Sequence, residues 1–430
     1  MTTGFAGPSS GTGSSGRMRI LVLNQYFHPD RSATSRLLTE LCEDLSQHHE
    51  VYVVTGRPSY DPEYPILSSG LVSHERHKRV NVARVWSTSF DRSEGMAARL
   101  ANYATYLPAS LIGAMCVARP DVVVAMTDPP VVAVAAAAVS AVRRIPFVYV
   151  NQDVFPEVGV VLGRIRSSSL VRLLDTLNRS LRRRAHRVIA IGRDMERRLA
   201  ELDGPRSRVV VVDNWADGSV VRPLDGPSVL RAEQGWDDRF VVMHSGNVGL
   251  SQSLGSLVEA ADRLRRETDV VFAIVGEGAA KASLQTDVRR MGLRNVEFLP
   301  TQPYETLSDS LGAADVHVVG LRRGLAGYIV PSKVYGILAA ARPYVAAVEA
   351  GAEPALVAEE YGCGIRVEPD DPDALAEGIL RMRGSDLEEM GRNGRKAFEE
   401  RFDRPRATGG YRRILEDIFA RSVALRGQRP

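Results

Sequence analysis

Apolar residues recur along this chain in two rhythms. Short runs rich in Val, Ile and Leu alternate with longer segments whose apolar positions return every three or four residues. The short runs suit strands buried on both faces, and the longer segments suit amphipathic helices. "MRILVLNQYF" (18–27), "EVYVVTG" (50–56), "VNVARVW" (80–86), "DVVVAM" (121–126), "PFVYVNQD" (146–153) and "HRVIAIG" (186–192) read as strands. "SATSRLLTELCEDLSQH" (32–48) reads as the first helix. The rhythm restarts with "RFVVMHSGN" (239–247), "DVVFAIVGEG" (269–278), "NVEFLP" (295–300), "ADVHVVGL" (314–321) and "PYVAAVE" (343–349). Strands alternating with helices predict an α/β fold with mainly parallel, doubly wound sheets. Gly, Pro and Asp cluster in "DNWADGSVVRPLDGPS" (213–228), which predicts a boundary there.

The chain therefore divides into a flexible extension (1–17), a Rossmann-like domain (18–217), a second Rossmann-like domain (218–395) and a helical tail (396–430). The extension is rich in Gly, Ser and Thr and lacks the apolar core of a signal peptide. In the tail, Ile414, Leu415, Ile418 and Phe419 recur at helical spacing.

With 430 residues, 44% of them hydrophobic, the composition is globular. A net charge of +3 makes no case for a nucleic-acid partner. Cys42, Cys116 and Cys363 form no paired motif and read as buried thiols in a reducing compartment, so the expected location is cytoplasmic. "YATYLPASLIGAMCVA" (103–118) and "PPVVAVAAAAVSAVRRIP" (129–146) fall short of a membrane span. They read as packed helices, with a face on a membrane or lipid tail as the alternative. "NRSLRRRAHR" (178–187) reads as a solvated helix face or as a basic patch for the inner face of an anionic membrane.

Candidate chemistry lies at strand ends, where doubly wound proteins bind ligands. The first strand runs into "NQYFHPDRSATS", which has no glycine, so a dinucleotide fingerprint is missing. "HSGNVGLSQSL" places Gly246 and Gly249 before a helix, a setting that suits phosphate. "VGEGAAK" adds Gly276 and Glu277 in a looser match. "RRGLAGYIVPSK" brings Gly324, Gly327, Ser332 and Lys333 ahead of an apolar helix. Ser332 alone would be explained as a helix cap. Lys333 in a first turn opposes the helix dipole unless an anion sits between them. Two anion-friendly loops predict a nucleotide diphosphate. In "NQDVFPE" (151–157), Asp153 is a candidate to accept a proton from a substrate hydroxyl, or else a cap before Pro156. Glu157 is the second candidate. "DDPD" (370–373) holds an Asp-x-Asp and reads as an acidic cap before a helix.

The ordered set "NQYFHPDRSATSRLLTEL", "PSYDPEYP", "NQDVFPE", "VVVVDNWAD", "SGNVGLSQSL", "VGEGAAKASL", "PSKVYGILAAARP" and "GCGIRVEPDDPDALAEGI" resembles glycosyltransferase family 4, in the branch acting on bacterial polysaccharide or lipid-linked glycans. The resemblance implies a GT-B fold: two Rossmann-like domains facing a central cleft, with the final helix crossing back to the first. It implies retaining transfer from a nucleotide diphosphate sugar, most often a UDP-sugar, to a hydroxyl of a glycan, lipid-linked or small-molecule acceptor. It implies no cofactor and no metal. Catalytic positions would be Asp153, Glu157 and Lys333. Donor positions would be Gly246, Asn247, Gly249, Gly276, Glu277, Gly327, Ser332 and Lys333. Acceptor positions would be His28, Ser32, Thr34 and Tyr60, the serine and threonine being equally explained as helix caps. The family's paired glutamates are replaced by Tyr328 and Gly336, and its Arg and Lys after the second domain's first strand by Asn247 and Gln252. Lys333 is thereby left as the diphosphate cation, with Arg322 or Arg323 as helpers. A GT-B nucleotide-sugar epimerase and a non-catalytic nucleotide-sugar binder are the alternatives.

Overall fold

The computed structural model describes residues 17–30, 32–58, 70–88, 90, 96–204 and 208–427. Fourteen strands among these residues form two sheets. The first sheet contains β1 (Arg19–Leu23), β2 (Glu50–Thr55), β3 (Val72–His77), β4 (Val80–Val85), β5 (Val122–Ala125), β6 (Phe147–Asn151), β7 (Arg187–Ala190) and β8 (Val209–Val211), ordered β3-β4-β2-β1-β5-β6-β7-β8. The second contains β9 (Phe240–Ser245), β10 (Val270–Val275), β11 (Val296–Leu299), β12 (Val316–Gly320), β13 (Tyr344–Ala347) and β14 (Gly364–Val367), ordered β11-β10-β9-β12-β13-β14.

β1 pairs in parallel with β2 and β5, Ile20 lying between Val51 and Val122. β9 pairs in parallel with β10 and β12. β10 and β12 are buried along their whole length, which is why they appear as unbroken apolar runs. The apolar pattern does not anticipate β3, β8 or β14. β3, "VSHERH", is polar and half-exposed, and it pairs antiparallel with β4.

The strands change sheet between β8 and β9, across the stretch where the composition breaks. Compactness divides the chain differently, into residues 1–148 with 412–430 and residues 149–411. The last helix, Arg404–Gly427, spans that division. In the unit holding its second half, Glu416 meets His49 at 3.2 Å. Leu415 and Ile418 are buried, as their spacing predicts.

One expectation needs correction. Cys42 and Cys363 are buried, but Cys116 is exposed at the end of the helix Met96–Cys116. That helix runs through Pro108. Among the described residues no helix is long and apolar enough to cross a membrane.

Candidate functional site

The second sheet presents its strand ends as a layer of tightly crossed backbone. Gly246 follows β9 with φ +126°, and Gly276 follows β10 with φ +140°. A β-carbon on Gly276 would collide with the Gly246 carbonyl, so the crossing requires glycine. Hydrogen bonds stitch the loops together. Gly246 N–H donates to the Val275 carbonyl (2.9 Å), Val248 N–H to Glu277 (2.8 Å) and Ala280 N–H to Val248 (3.0 Å). The Gly246 N–H is thus already engaged, contrary to the expectation that it is open for phosphate. Gly249 precedes a short 3-10 turn, Leu250–Gln252, and the α-helix begins only at Leu254. Asn247 is exposed on this platform. Glu277 is exposed as well and pairs with Lys281 at 2.6 Å.

Lys333 opens the helix Lys333–Ala339 and bends back over this platform. Its Nζ donates to Gln252 Oε1 at 2.5 Å and lies 3.2 Å from His244 Nε2. Gly246 faces its stem, a β-carbon there falling 3.8 Å from Lys333 Cε. Among the described residues no carboxylate forms an ion pair with Nζ. Burial lowers the Lys333 pKa to about 7. His244 is fully buried; burial first, then the Lys333 charge, hold it well below the usual imidazole range. His317 on β12 is buried too and lowered by that burial to about 4, its Nε2 lying 2.9 Å from the Leu311 carbonyl. Both histidines are therefore neutral near pH 7. The sequence signal for them was a polar residue inside an apolar strand, in "VVMHS" and "VHVVG".

The loop before Lys333 is pinned from four sides. Arg322 N–H donates to the Ser251 carbonyl at 2.8 Å. Gly324 N–H donates to Glu349 Oε2 at 2.9 Å. Gly327 N–H donates to Asp194 Oδ2 at 3.3 Å. Val154 N–H donates to the Tyr328 carbonyl at 2.9 Å, beside an antiparallel bridge between Asp153 and Ile329. Two motifs far apart in sequence, "NQDVFPE" and "GYIVPSK", are thus joined edge to edge. The expected role of the Gly327 N–H toward phosphate is displaced, because Asp194 already takes it. Gly327 serves instead through its φ of +77°, which turns the loop.

Ser332 also departs from expectation. It has helical backbone angles (φ −66°, ψ −16°) and its hydroxyl makes no capping hydrogen bond. The hydroxyl stands beside Lys333 uncommitted to the helix. Arg323, expected as a helper cation, pairs with Glu368 at 3.3 Å instead. Arg322 is exposed.

Asp153 is exposed, and the loop that carries it is braced from within. Gln152 and Asn214 exchange amide hydrogen bonds (2.9 and 3.4 Å), and Asn178 Nδ2 donates to the Phe155 carbonyl at 3.1 Å. Glu157 starts the short helix Glu157–Val161, and burial is the main cause of its raised pKa. Its Oε2 is buried without a hydrogen-bond partner.

The carboxylates of "DDPD" have structural partners. Asp371 caps the helix Pro372–Arg383 by accepting from Asp373 N (3.1 Å) and Ala374 N (3.0 Å). Asp373 pairs with Arg263 at 2.6 Å, and Asp370 accepts from Ser253 Oγ and from Arg323 N.

Of the acceptor set, Ser32 caps the helix Ala33–Leu45, its Oγ accepting from Ser35 N at 3.1 Å. Thr34 lies within that helix. The exposed His28 ring stacks on His77, centroids 4.1 Å apart, and its carbonyl accepts from Arg84 Nη2 at 2.5 Å. Burial lowers the His28 pKa, with the neighbouring His77 and Arg84 acting in the same direction. Tyr60 lies outside the described residues.

Two parallel-rich sheets, each with glycine loops or polar segments at its strand ends, define an α/β protein of doubled Rossmann-like architecture. Comparison with known proteins makes this specific. Residues 33–215 match the glycosyl transferase 4-like domain, and residues 239–384 match glycosyl transferases group 1. WcaI of Escherichia coli K12, whose name assigns it to colanic acid biosynthesis as a glycosyl transferase, is 30% identical over 376 residues. That alignment covers 84% of this chain and 91% of WcaI. Sucrose-phosphate synthase from Thermosynechococcus elongatus superimposes with a TM-score of 0.74 at 17% identity, covering 94% of this chain and all of that one. HepE from Anabaena, solved in complex with UDP and glucose, superimposes with a TM-score of 0.69 at 18% identity, covering 93% of this chain and all of that one. The chain belongs to glycosyltransferase family 4, has the GT-B fold, and is a glycosyltransferase.

Proposed function

We propose that this protein transfers a sugar from a UDP-sugar to a hydroxyl of a glycan or lipid-linked acceptor in polysaccharide assembly, with retention and without a metal. One observation carries the reading. A lysine that pairs with no carboxylate among the described residues, Lys333, follows a loop bridged to the segment that carries the exposed carboxylate of Asp153. The polysaccharide assignment draws on WcaI, and the donor on the UDP complex of HepE.

In this reaction the acceptor oxygen bonds to the anomeric carbon while the bond from that carbon to the diphosphate breaks. Asp153 accepts the hydroxyl proton, and UDP leaves. Lys333 and the Ser332 hydroxyl meet the charge that develops on the leaving diphosphate. The ammonium of Lys333 and the Ser332 hydroxyl do here what a metal does elsewhere, and the Asp371 and Asp373 carboxylates are engaged with the helix cap and Arg263.

Incubation with UDP-sugars and candidate acceptors, followed by mass analysis, tests the reading. Transfer supports it; a sugar changed without an acceptor shows an epimerase, and binding without turnover shows a non-catalytic protein. Asp153→Asn is expected to fold as the parent does and to lose ~10²–10⁴-fold of transfer, the usual contribution of a general base. A variant within threefold of the parent moves the role to Glu157.

Contact with an anionic membrane surface is a second element of the proposal. It is carried by the helix Ser168–Arg184, where Leu170 and Leu173 are 44% and 65% exposed, with exposed Arg172 next to Leu173 and exposed Arg183 and Arg184 at the helix end. Only part of the arginine run is available to lipid. Arg182 is buried against Asp203 at 2.9 Å, and Arg179 pairs with Asp175. Co-flotation with vesicles containing anionic lipid is expected, and Leu173→Glu should abolish it. Equal flotation of parent and variant would remove this element.

A further inference from the structure

We propose that binding of the donor's diphosphate is coupled to uptake of one proton by Lys333, whose Nζ is held, among the described residues, only by the neutral Gln252 amide and His244 imidazole. The inference rests on Lys333 being the diphosphate cation and adds how its charge is controlled.

The geometry is unusual for a lysine in this chain. Lys281, a short distance along the same sheet edge, pairs with Glu277 at 2.6 Å, and exposed Lys78 reaches Glu43 at 2.8 Å. Lys333 has no such partner among the described residues. Its Nζ lies 2.5 Å from Gln252 Oε1 and 3.2 Å from His244 Nε2. An amide oxygen and a neutral ring nitrogen accept from an ammonium but do not balance its charge, and they accept from a neutral amine as well.

Every element packed around the group agrees. β9 contributes His244, β12 contributes His317, and the 3-10 turn contributes Gln252. Arg342 acts on His317 with a positive charge, and Arg395 of the helix Leu387–Ala397 reaches the far end of Lys333's own helix at the Ala339 carbonyl. The carboxylates nearby, Asp194, Asp213 and Glu353, act on Tyr335 together with Arg401 and are tied up in their own ion pairs and hydrogen bonds. Among the described residues no carboxylate thus pairs with Lys333, and a lysine buried without a counter-charge sheds its proton easily, consistent with a pKa of about 7.

A diphosphate reverses this. Two or more negative charges arriving at Nζ favour the ammonium, so the bound state keeps a proton that the free state holds only in part near pH 7 and loses above it. Linkage then makes affinity depend on pH. Near pH 7 about half a proton is taken up on binding, rising towards one by about pH 8.5. Across that interval the Kd for UDP climbs towards tenfold per pH unit. The ligand does not confuse the reading, since a phosphate's second ionisation lies near ~6.

Titration calorimetry of the full chain with UDP tests this, in buffers of different ionisation enthalpy from pH 7 to 9. The parent is expected to show net proton uptake and the rising Kd. Uridine, which has no phosphate, should bind with no uptake. Lys333→Arg keeps its charge throughout and should show neither uptake nor pH-dependent affinity. Gln252→Glu supplies a permanent carboxylate partner and should remove the uptake by a different route, with weaker UDP binding. UDP binding by the parent without uptake overturns this inference and leaves the proposed function standing. Uptake that survives in Lys333→Arg, or appears with uridine, also overturns it, because another group then carries the proton. A parent that does not bind UDP at all overturns both.

Discussion

Two charged clusters in residues 149–411 are built on opposite principles. In one, opposite charges meet around a buried glutamate. Glu353 is fully buried and accepts from Arg193 Nε at 3.1 Å and from Arg401 Nη2 at 3.3 Å. Arg193 also reaches Glu360 at 2.7 Å, and Arg401 reaches Asp213 at 3.1 Å. Asp194 accepts from Glu353 N–H at 3.0 Å and from Gly327 N–H, so the cluster holds the end of the Lys333 loop. In the other, Lys333 sits among His244, Gln252 and His317 with no carboxylate among the described residues. The contrast separates structure from function. A buried charge is expensive to leave uncompensated. A cluster whose opposite charges pair serves the fold, and a cation left without a counter-charge is tolerated where a ligand completes it.

The largest expected effect falls on the compensated cluster. Glu353→Ala leaves Arg193 and Arg401 short of a buried partner and should destabilise by ~3–5 kcal/mol in urea unfolding. A loss under about 1 kcal/mol would mean that the cluster does not support the fold, and the contrast would break.

The opposite substitution sharpens it. Lys333→Ala should leave the fold intact while weakening UDP binding ~10- to 150-fold, the equivalent of a charge-assisted hydrogen bond of ~1.5–3 kcal/mol. Uridine should bind parent and variant alike. If UDP binds the variant as well as the parent, Lys333 is not the diphosphate cation.

The smallest effect concerns pH without any ligand. The Lys333 pKa is about 7 in the folded chain and the ordinary 10.5 when unfolded. Between these values the unfolded chain holds a proton that the folded chain lacks. Stability should therefore rise between pH 7 and 8.5, by about 1.6 kcal/mol from this group. Lys333→Met should lose that rise when its unfolding is compared with the parent's at pH 7 and 8.5. Parallel curves would place the lowered pKa elsewhere.

Much of the fold could be read from the sequence because buried parallel strands are covered on both faces and must be apolar throughout. β1, β9, β10 and β12 announce themselves this way. β3 does not, since its "VSHERH" lies half in solvent. The acidic cap at Asp371 was equally legible, because capping acts within three residues. Ser332 shows the limit of local reading: it stands where a cap belongs, yet the chain enters the helix already in helical geometry and the hydroxyl is not used.

The site divides along the same line. Gly246, Gly276 and Lys333 were legible as residue types that suit an anion at strand ends. Their actual duties were not. Gly276 is a glycine because the Gly246 backbone leaves no room for a β-carbon, Gly246 because its φ is +126°, and the Gly246 N–H is taken by Val275. His244 carried no assigned role, although it lies against the lysine.

By itself, then, the sequence determined the alternation of elements, the two sheets, the family, and a lone lysine at a helix start where the family's other cations are missing. Periodicity and capping act over a few neighbouring residues, so they are written locally. The tertiary structure alone decided what surrounds that lysine. Gln252 is 81 residues away from Lys333, and Glu353 meets Asp194 across 159. Whether a charge is compensated depends on groups that only the folded backbone brings within 3 or 4 Å, where Coulomb and desolvation energies are large enough to matter.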